Sequence, residues 1–541
     1  MVEPWIALVG PEVEENLSLR YLAASLEAAG LRCQIFGFNA DCDFSRIARR
    51  LLEPGPAPLL VGLSLAFQWR ARDFLALAMA LREGGLRSHI TAGGHFATFA
   101  APELLRDFSE LDSICRFEAE HTLRELAHAL RAGTPLELVA GLALWRDGQL
   151  RLTAPRPLPE LGALPPPIRR GEPARCFGHG IMPLVGSRGC YGHCRFCCIA
   201  AWHEQGTAGP RFRLRPVEHI ADEMAAEHQR RGIEIFVFED DNFFLPRAAD
   251  SLERIHALGD ALARRGVHRF ATVVKARADD VQREPFAALC ERLHCIRAYV
   301  GIETDSARGL RTLGRQARRE HNHRALEVVR ELGLYICFNL LLFDPESTLA
   351  DLEDNLEFMG AVADYPFCVG RVELYAGTPL LADLLAQGRC RGDYLQWDYA
   401  LGDPAMQRVF QLFMRTMRQR NYGDGAAVVA LWLLRFDLEA IGFFHPSQLR
   451  SEWRERAIGI TRRLSLDTVQ TLRAIIDHVR SGGPPADDEP FGRGLRQRCA
   501  EVDREVIVAA HELGREMSLA VAQDASLCVV RRMLEARGSH E

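Results

Sequence analysis

From residue 5 to about 130, short apolar runs alternate with amphipathic ones. "IALVG" (6–10) reads as a buried strand. "NLSLRYLAASLEAAG" follows as a helix, with Leu19, Leu22, Ala23, Leu26 and Ala29 on one face and Gly30 at its C-cap. "CQIFGF" (33–38), "LLVGLSLAF" (59–67), "HITAGG" (89–94) and "SICRF" (113–117) read as further strands with helical stretches between them. Apolar strands separated by helices predict a parallel sheet covered on both faces, here a five-stranded doubly wound domain within residues 1–150.

The proline-rich "TAPRPLPELGALPPPIRRGEP" (153–173) interrupts the rhythm and reads as a stiff connector over 151–175. Alternation then resumes. "MPLVGS" (182–187), "IFVFED" (235–240), "RFATVVKA" (269–276), "AYVGIET" (298–304), "YICFNLLLF" (335–343) and "VGRVELY" (369–375) are six candidate strands. Helices such as "PVEHIADEMAAEHQRRG" separate them, with Pro216 suited to the first helical position. Six βα units in a row predict a partial barrel over 176–385. From 386 to 541 the pattern is mainly helical. The fold class is therefore α/β: a doubly wound, flavodoxin- or Rossmann-like N-terminal domain, a partial (β/α)6 barrel and a helical C-terminal region.

Composition changes this picture little. The chain has 541 residues, about three or four domains' worth. Its net charge of −6 gives no electrostatic reason to expect nucleic acid or an anionic membrane as partner. The opening "MVEPWIALVG" has Glu3 where a signal peptide carries basic residues. The most apolar run, "AAVVALWLLRF" (426–436), is too short to span a bilayer and runs into Asp437 and Glu439. A cytoplasmic location follows, where clustered cysteines serve as metal ligands or catalysts more often than as disulfides.

Such a cluster lies in "GSRGCYGHCRFCCIAAW" (186–202). Cys190, Cys194 and Cys197 stand at CxxxCxxC spacing, after a strand and at the mouth of a βα series, where such folds place active sites. Three thiolates on a 4Fe–4S cluster leave one iron open for a substrate. The competing reading is structural zinc, with Cys198, His193 or His203 as fourth ligand. Cys198 follows Cys197 directly and reads as a packing residue.

Cys190-x-x-x-Cys194-x-Phe196-Cys197 resembles the signature of the radical S-adenosylmethionine (SAM) enzymes. The resemblance covers roughly 180–385 and implies that the open iron chelates the amino and carboxylate groups of SAM. It implies SAM contacts from Phe196, whose backbone would meet the adenine. Glu239, Asp240 or Asp241 in "VFEDDNFF" (237–244) would bind the ammonium; an N-cap is the bland role for Asp241. Arg277 would pair with the carboxylate, Glu303 in "YVGIETDS" (299–306) would face the ribose, and Asn339 would point into the barrel. Gly377 and Thr378 more simply shape a turn.

The N-terminal domain is similar to the cobalamin-binding domain that precedes one radical SAM branch. "ENLSLRYLAASLEAAG", "AGGHFAT" (92–98), "EAEHTLREL" (118–126) and the "GLALWRDGQL" hairpin (141–150) carry the likeness. In doubly wound sheets a ligand lies across the carboxyl ends of the strands. The expected cobalamin contacts are Ser64, Gly93, Gly94, His95, Thr98 and Glu118, with the glycines allowing the corrin close to the backbone. The family usually shows Gly-Glu-Gly-Glu where this chain has Phe117-Glu118-Ala119-Glu120. The Asp-x-His-x-x-Gly motif that ligates cobalt is absent, so His95 is expected to line the pocket rather than to bind the metal.

Together these resemblances imply a 4Fe–4S cluster, SAM and cobalamin as cofactors, and a methyltransferase acting on an unactivated carbon of a small-molecule or natural-product substrate. An electron donor such as flavodoxin or ferredoxin is implied, with neither nucleic acid nor stable membrane insertion. The alternative is a cyclase, ring-contracting or oxidative enzyme with the same cofactors and no methyl transfer. A tRNA methylthiotransferase fits poorly, since "GPEVEEN" (10–16) lacks that class's cysteine and no basic β-rich tail closes the chain. A non-enzymatic sensor leaves the SAM-type barrel motifs unexplained. Arg211, Arg213 and Arg215 read either as a solvated ladder or as a greeting for an anionic substrate.

Overall fold

The computed structural model describes residues 4–206, 210–423 and 425–521. Five parallel strands open the chain: β1 (Trp5–Gly10), β2 (Arg32–Gly37), β3 (Leu60–Ser64), β4 (His89–Gly93) and β5 (Ser113–Cys115). They lie in the order β2-β1-β3-β4-β5, with helices on both faces. The helix Leu17–Ala28 starts where expected because the Asn16 side chain accepts from Leu19 N–H.

The sheet is wider than the expected five strands. The hairpin β6 (Leu142–Arg146) and β7 (Gln149–Leu152) adds two antiparallel strands beside β5. Its turn residues Asp147 and Gly148 both take positive φ, 52° and 73°, as a two-residue hairpin requires. β5 stops two residues short of the expected strand, and Phe117 beyond it turns left-handed at φ 59°. β3 likewise ends at Ser64, leaving Leu65–Phe67 as a loop at the carboxyl edge.

The proline-rich connector is docked, not free. Leu161 and Leu164 bury against Tyr21. The Arg169 side chain, 2% exposed, bridges Glu15 of the first domain and Glu223 of the second. A buried guanidinium flanked by two carboxylates holds its partners in one geometry, because losing either would strand a charge away from water.

β8 (Ala174–Cys176) then pairs antiparallel with β9 (His179–Leu184), and a short pair, β10 (Ser187–Arg188) and β11 (Arg213–Leu214), flanks the cysteine loop. β12 (Ile233–Phe238), β13 (Ala271–Arg277), β14 (Cys295–Gly301), β15 (Tyr335–Phe343) and β16 (Phe367–Arg371) continue in parallel from β9. The order β16-β15-β14-β13-β12-β9-β8 gives the six expected parallel strands of a partial barrel.

The C-terminal helices Pro404–Asn421, Ala427–Phe444, Ser451–Arg480 and Asp488–Val521 complete the fold. Helix Ala427–Phe444 contains the apolar run noted in the sequence. Phe436, Ala440 and Phe444 pack with Ile235, Ala271 and Val273, and with the half-buried Ile181, Val237 and Tyr299. The remaining sides of the helix pack against the last two helices. A helix apolar on most sides is a buried one, and this one forms the floor of the barrel lumen. No helix among the described residues is long and apolar enough to cross a membrane.

Candidate functional site

The cysteine loop lies between β9 and the helix Cys198–Gln205, with Cys197 as that helix's N-cap residue. Cys194 is an electrostatic neighbour of both Cys190 and Cys197. Burial pushes the Cys197 thiol up to about 12 and the Cys190 thiol in the same direction. The three thiols share one short loop, but among the described residues no three His, Cys, Asp or Glu side chains are gathered closely enough to hold a metal ion as they stand. Burial disfavours the free anions, and coordination would restore the thiolates.

The end of β12 anchors this loop. Asp240, 1% exposed, accepts from Gly186 N–H (2.6 Å) and Ser187 Oγ (2.7 Å). Burial raises it to about 6, against those hydrogen bonds. Asp241 accepts from Gly189 N–H (2.9 Å). Both carboxylates are therefore spent on shaping the loop, and Asp241 caps the loop rather than a helix. Glu239 differs: it is half-buried and pairs with Lys275 of the neighbouring strand β13.

Arg277 forms a two-pronged bond to Asp279 (3.0 and 2.8 Å) and lies 5.2 Å over the Tyr191 ring. A Cβ at Gly192 would fall 2.0 Å from Arg277 Nη1, so any other residue there would have to displace the guanidinium from Asp279. Arg195, between the last two ligand candidates, has its backbone stitched to Leu313 (2.9 Å) and Leu380 (3.0 Å). The ring of Phe196 packs on the main core.

Glu303 takes φ 64°, a left-handed conformation that costs a non-glycine residue energy and marks a position held by its surroundings. Its carbonyl accepts from Leu341 N–H (2.6 Å). Its carboxyl is raised by burial, and Arg315 Nη1 lies 3.7 Å away. Arg315 escaped sequence reasoning. Its side chain is 5% exposed, donates to the Gly301 carbonyl and reaches to 3.7 Å from Cys194 Sγ. It lies in a loop after a short helix, and nothing in its spacing marks it. Asn339 is exposed in the middle of β15, between buried Phe338 and Leu340. A solvent-open side chain at the centre of a sheet places it on the open lumen.

On the other side, the carboxyl edge of the first sheet faces this barrel. Glu14, in the loop after β1, lies in the electrostatic field of Glu239, Lys275 and Arg297. Ser64 closes β3 beside Gly10, where an added Cβ would fall 2.9 Å from that of Ser64. Gly94 has φ 107°, and a Cβ there would meet the Ala66 backbone at 2.9 Å. The neighbouring β3 loop by itself therefore demands glycine at this position. At Gly93 the contact would be an ordinary 3.5 Å to the Cys115 carbonyl.

His95 lies with its ring centroid 4.3 Å from that of Trp202, on the helix after the cysteines. Phe99 and Phe117 meet the same indole edge-on. Gly377 (φ 79°) packs on Phe99, and Thr378 caps the next helix, as a turn reading expects. Burial lowers His95 to about 4. Thr98 and Glu118 each hold neighbouring groups. Thr98 Oγ1 accepts from Phe117 N–H (3.0 Å), securing that left-handed residue. Glu118 pairs with Arg188 (2.6 Å) and Arg213. Burial pushes Glu118 up, but the two guanidiniums bring it below the ordinary carboxylate range. Arg213 and Arg215 are buried in ion pairs with Glu118 and Glu223, and Arg211 bonds His193. Arg213 and Arg215 are therefore neither a solvated ladder nor a substrate greeting, because the first domain and the helix after β11 cover them, whereas Arg211 stays partly open to solvent.

Residues 6–127 match the family model of the B12 binding domain, and residues 184–359 that of the radical SAM superfamily. An uncharacterized methyltransferase of Pyrococcus horikoshii is 26% identical over 348 residues, 63% of this chain and 72% of that protein. The 4′-phospho-dehydrooxetanocin synthase of Priestia megaterium is 25% identical over 386 residues, 64% of this chain and 48% of that protein. The cobalamin-dependent S-adenosylmethionine radical enzyme OxsB, solved with aqua-cobalamin and S-adenosylmethionine bound, shares the fold with a TM-score of 0.63 at 19% identity, over 99% of this chain and 84% of that one. A B12-binding sheet whose carboxyl edge faces a radical SAM barrel places this chain among the cobalamin-dependent radical SAM enzymes, with a 4Fe–4S cluster, SAM and cobalamin as its cofactors.

Proposed function

We propose that this enzyme methylates an unactivated carbon of a small-molecule substrate held in the barrel lumen. One observation supports the reading: the carboxyl edge of the first sheet meets the barrel, with Glu14 in the field of Glu239, Lys275 and Arg297 and His95 against Trp202 on the helix after the cysteines. Together the cofactors supply a radical that takes hydrogen from carbon and a methyl group that the resulting radical can accept. The protein's part is placement.

Cys190, Cys194 and Cys197 hold the cluster. Glu239, half-buried and paired with Lys275 at the end of β12, is the acid that would meet the SAM ammonium, since Asp240 is buried under the loop and Asp241 accepts from Gly189 N–H. Arg277 faces the SAM carboxylate, Phe196 presents its backbone to the adenine, and Glu303 and Asn339 meet the remainder of the ligand from the lumen. Ser64, Gly93, Gly94 and His95 form the cobalamin edge. Glu12, in the loop where a cobalt-ligating histidine would lie, is paired with Arg20 (2.6 Å). His95 lies tilted against Trp202, so its ring would line the cobalamin pocket rather than bind the metal. The kinship with the archaeal methyltransferase supports the same reading. The enzyme works in the cytoplasm with a flavodoxin- or ferredoxin-type electron donor.

A second reading is ring closure, ring contraction or oxidation without methyl transfer. The fold shared with OxsB along nearly the whole chain, C-terminal helices included, and the kinship with the Priestia synthase support it. Anaerobic turnover with methyl-labelled SAM separates the two. Methyl transfer yields 5′-deoxyadenosine and S-adenosylhomocysteine in about equal amounts, only with substrate, and puts the label in the product. Substrate consumed with 5′-deoxyadenosine alone and no label transfer replaces the first reading with the second.

A further inference from the structure

Arg297 lies on the luminal face of β14, below Tyr299 and Gly301. Its guanidinium is sandwiched between two rings, 4.6 Å from the Tyr299 centroid and 4.6 Å from that of Phe436 on the floor helix. Its Nε is buried and without a hydrogen-bond partner, and among the described residues no carboxylate lies within ion-pair distance. Glu14 is felt across the chamber but is not in contact. The other buried guanidiniums around the barrel are all engaged: Arg169, Arg213 and Arg215 with glutamates, Arg277 with Asp279, Arg315 with a carbonyl.

A second unpartnered group stands beside it. Tyr335 is the residue opposite Arg297 in the β14–β15 register, and its hydroxyl is buried with no partner. Arg435 of the floor helix covers the Tyr335 ring at 4.9 Å; its Nη1 donates to the Asp364 carbonyl (2.8 Å), while its Nε is unpartnered. Two guanidiniums and a phenol thus share the floor. Aromatic faces attract a cation, yet they leave the buried Nε without an acceptor, and a half-buried guanidinium with no counter-ion leaves room for an anion to complete it.

We propose that Arg297 anchors an anionic group of the substrate, a phosphate or a carboxylate, with Tyr335 behind it. This rests on the reading of the lumen as the substrate chamber. It also sets a size: at about 3.3 Å per residue, Arg297 lies roughly 13 Å down the strand from Gly301 at the SAM end. The substrate carries its anion at one end and its reacting carbon at the other.

The test uses the full chain, anaerobically reconstituted, and needs no turnover. Inorganic phosphate and acetate are titrated separately at constant ionic strength, with affinity read by calorimetry and by the rise in Tm. Saturable binding of one of them is expected, and which one names the group. Arg297→Met keeps the stem between the rings and removes the charge. It should bind that anion at least tenfold more weakly, while its Tm without anion is no lower than that of the wild type. The exposed control Arg480→Gln should bind as the wild type does. Where Arg297→Met does not fold, Arg297→Lys carries the test, with severalfold weaker binding expected from loss of the planar fork. No saturable binding to the wild type, or unchanged affinity in the Arg297 variant, overturns the proposal. Methyl transfer is read separately from labelled SAM, so failure of one leaves the other standing.

Discussion

Acid should loosen the seam between the cobalamin edge and the cluster helix. His203 follows Trp202 on that helix and is 5% exposed, with its Nδ1 buried and unpartnered. Burial lowers it to about 4, and nearby Arg213 and His95 act in the same direction against Glu118. In the unfolded or locally opened seam it titrates near 6.5. Below 6.5 the open state therefore binds a proton that the closed state refuses. Closed-state stability falls with decreasing pH from about 6.5 to about 4 and is constant above that window. At pH 5 the difference between these two values amounts to about 2 kcal/mol, or about thirtyfold in the opening equilibrium. His95 shifts in the same direction, also to about 4, but is more open to solvent and adds less. Hydrogen exchange read by mass spectrometry on peptides covering 96–99 and 199–205, corrected for the intrinsic pH dependence of exchange, reports this opening. Protection should drop at least tenfold between pH 7.5 and pH 5, and the drop should shrink in the double variant His95→Gln/His203→Gln. Protection that holds at pH 5, or a double variant that responds as the wild type does, would refute the reasoning.

Two further predictions concern the loops that meet the cofactors. Gly94→Ala should destabilise the first domain by about 2–4 kcal/mol, since it combines a left-handed backbone with a backbone clash, whereas Gly93→Ala should fold normally and lose cobalamin affinity. Thermal melts and cobalamin-binding titrations check both, and a stable Gly94→Ala would show that the β3 loop yields. Anaerobically reconstituted protein should hold about four irons in this site. Alanine at Cys190, Cys194 or Cys197 should abolish them and Cys198→Ala should not, so iron loss on changing Cys198 alone would reassign the ligand set.

The strands were legible because their runs are short, apolar and rich in β-branched residues, and because a parallel sheet buries both faces. The cluster loop was legible for a different reason: its chemistry is local, so spacing alone carries it. What escaped depends on approach across the fold. Arg315 gains meaning only because a loop 120 residues downstream returns to Cys194. Arg213 and Arg215 look like solvent-facing bases until Glu118 and Glu223 arrive from elsewhere. Gly94 has a further reason to be glycine that its own loop does not show, since the backbone an added Cβ would meet belongs to Ala66. The hairpin at 141–150 was visible as a hairpin, but its pairing with β5 was not, because register to a distant strand leaves no mark in the hairpin's own residues.

The C-terminal helices show why a boundary near 385 does not mark a structural break. A partial barrel leaves two problems that a closed barrel does not have: an unpaired edge and an open lumen floor. The edge falls at β16, where Val369 N–H donates to the Asn421 side chain (2.9 Å) and the Val369 carbonyl accepts from the Tyr422 hydroxyl (3.1 Å). Both residues lie at the end of helix Pro404–Asn421, so that helix terminates on the strand it protects. The floor falls to the next helix, whose Phe436, Ala440 and Phe444 cover luminal residues of β12 and β13. That helix must be apolar on nearly every side, because the sheet takes one face and the last two helices take the others. The same demand accounts for a run that resembles a membrane segment in composition and stops short of one in length. It also brings Arg435 and Phe436 against Tyr335 and Arg297, so the element that closes the barrel helps to form the charged end of its chamber.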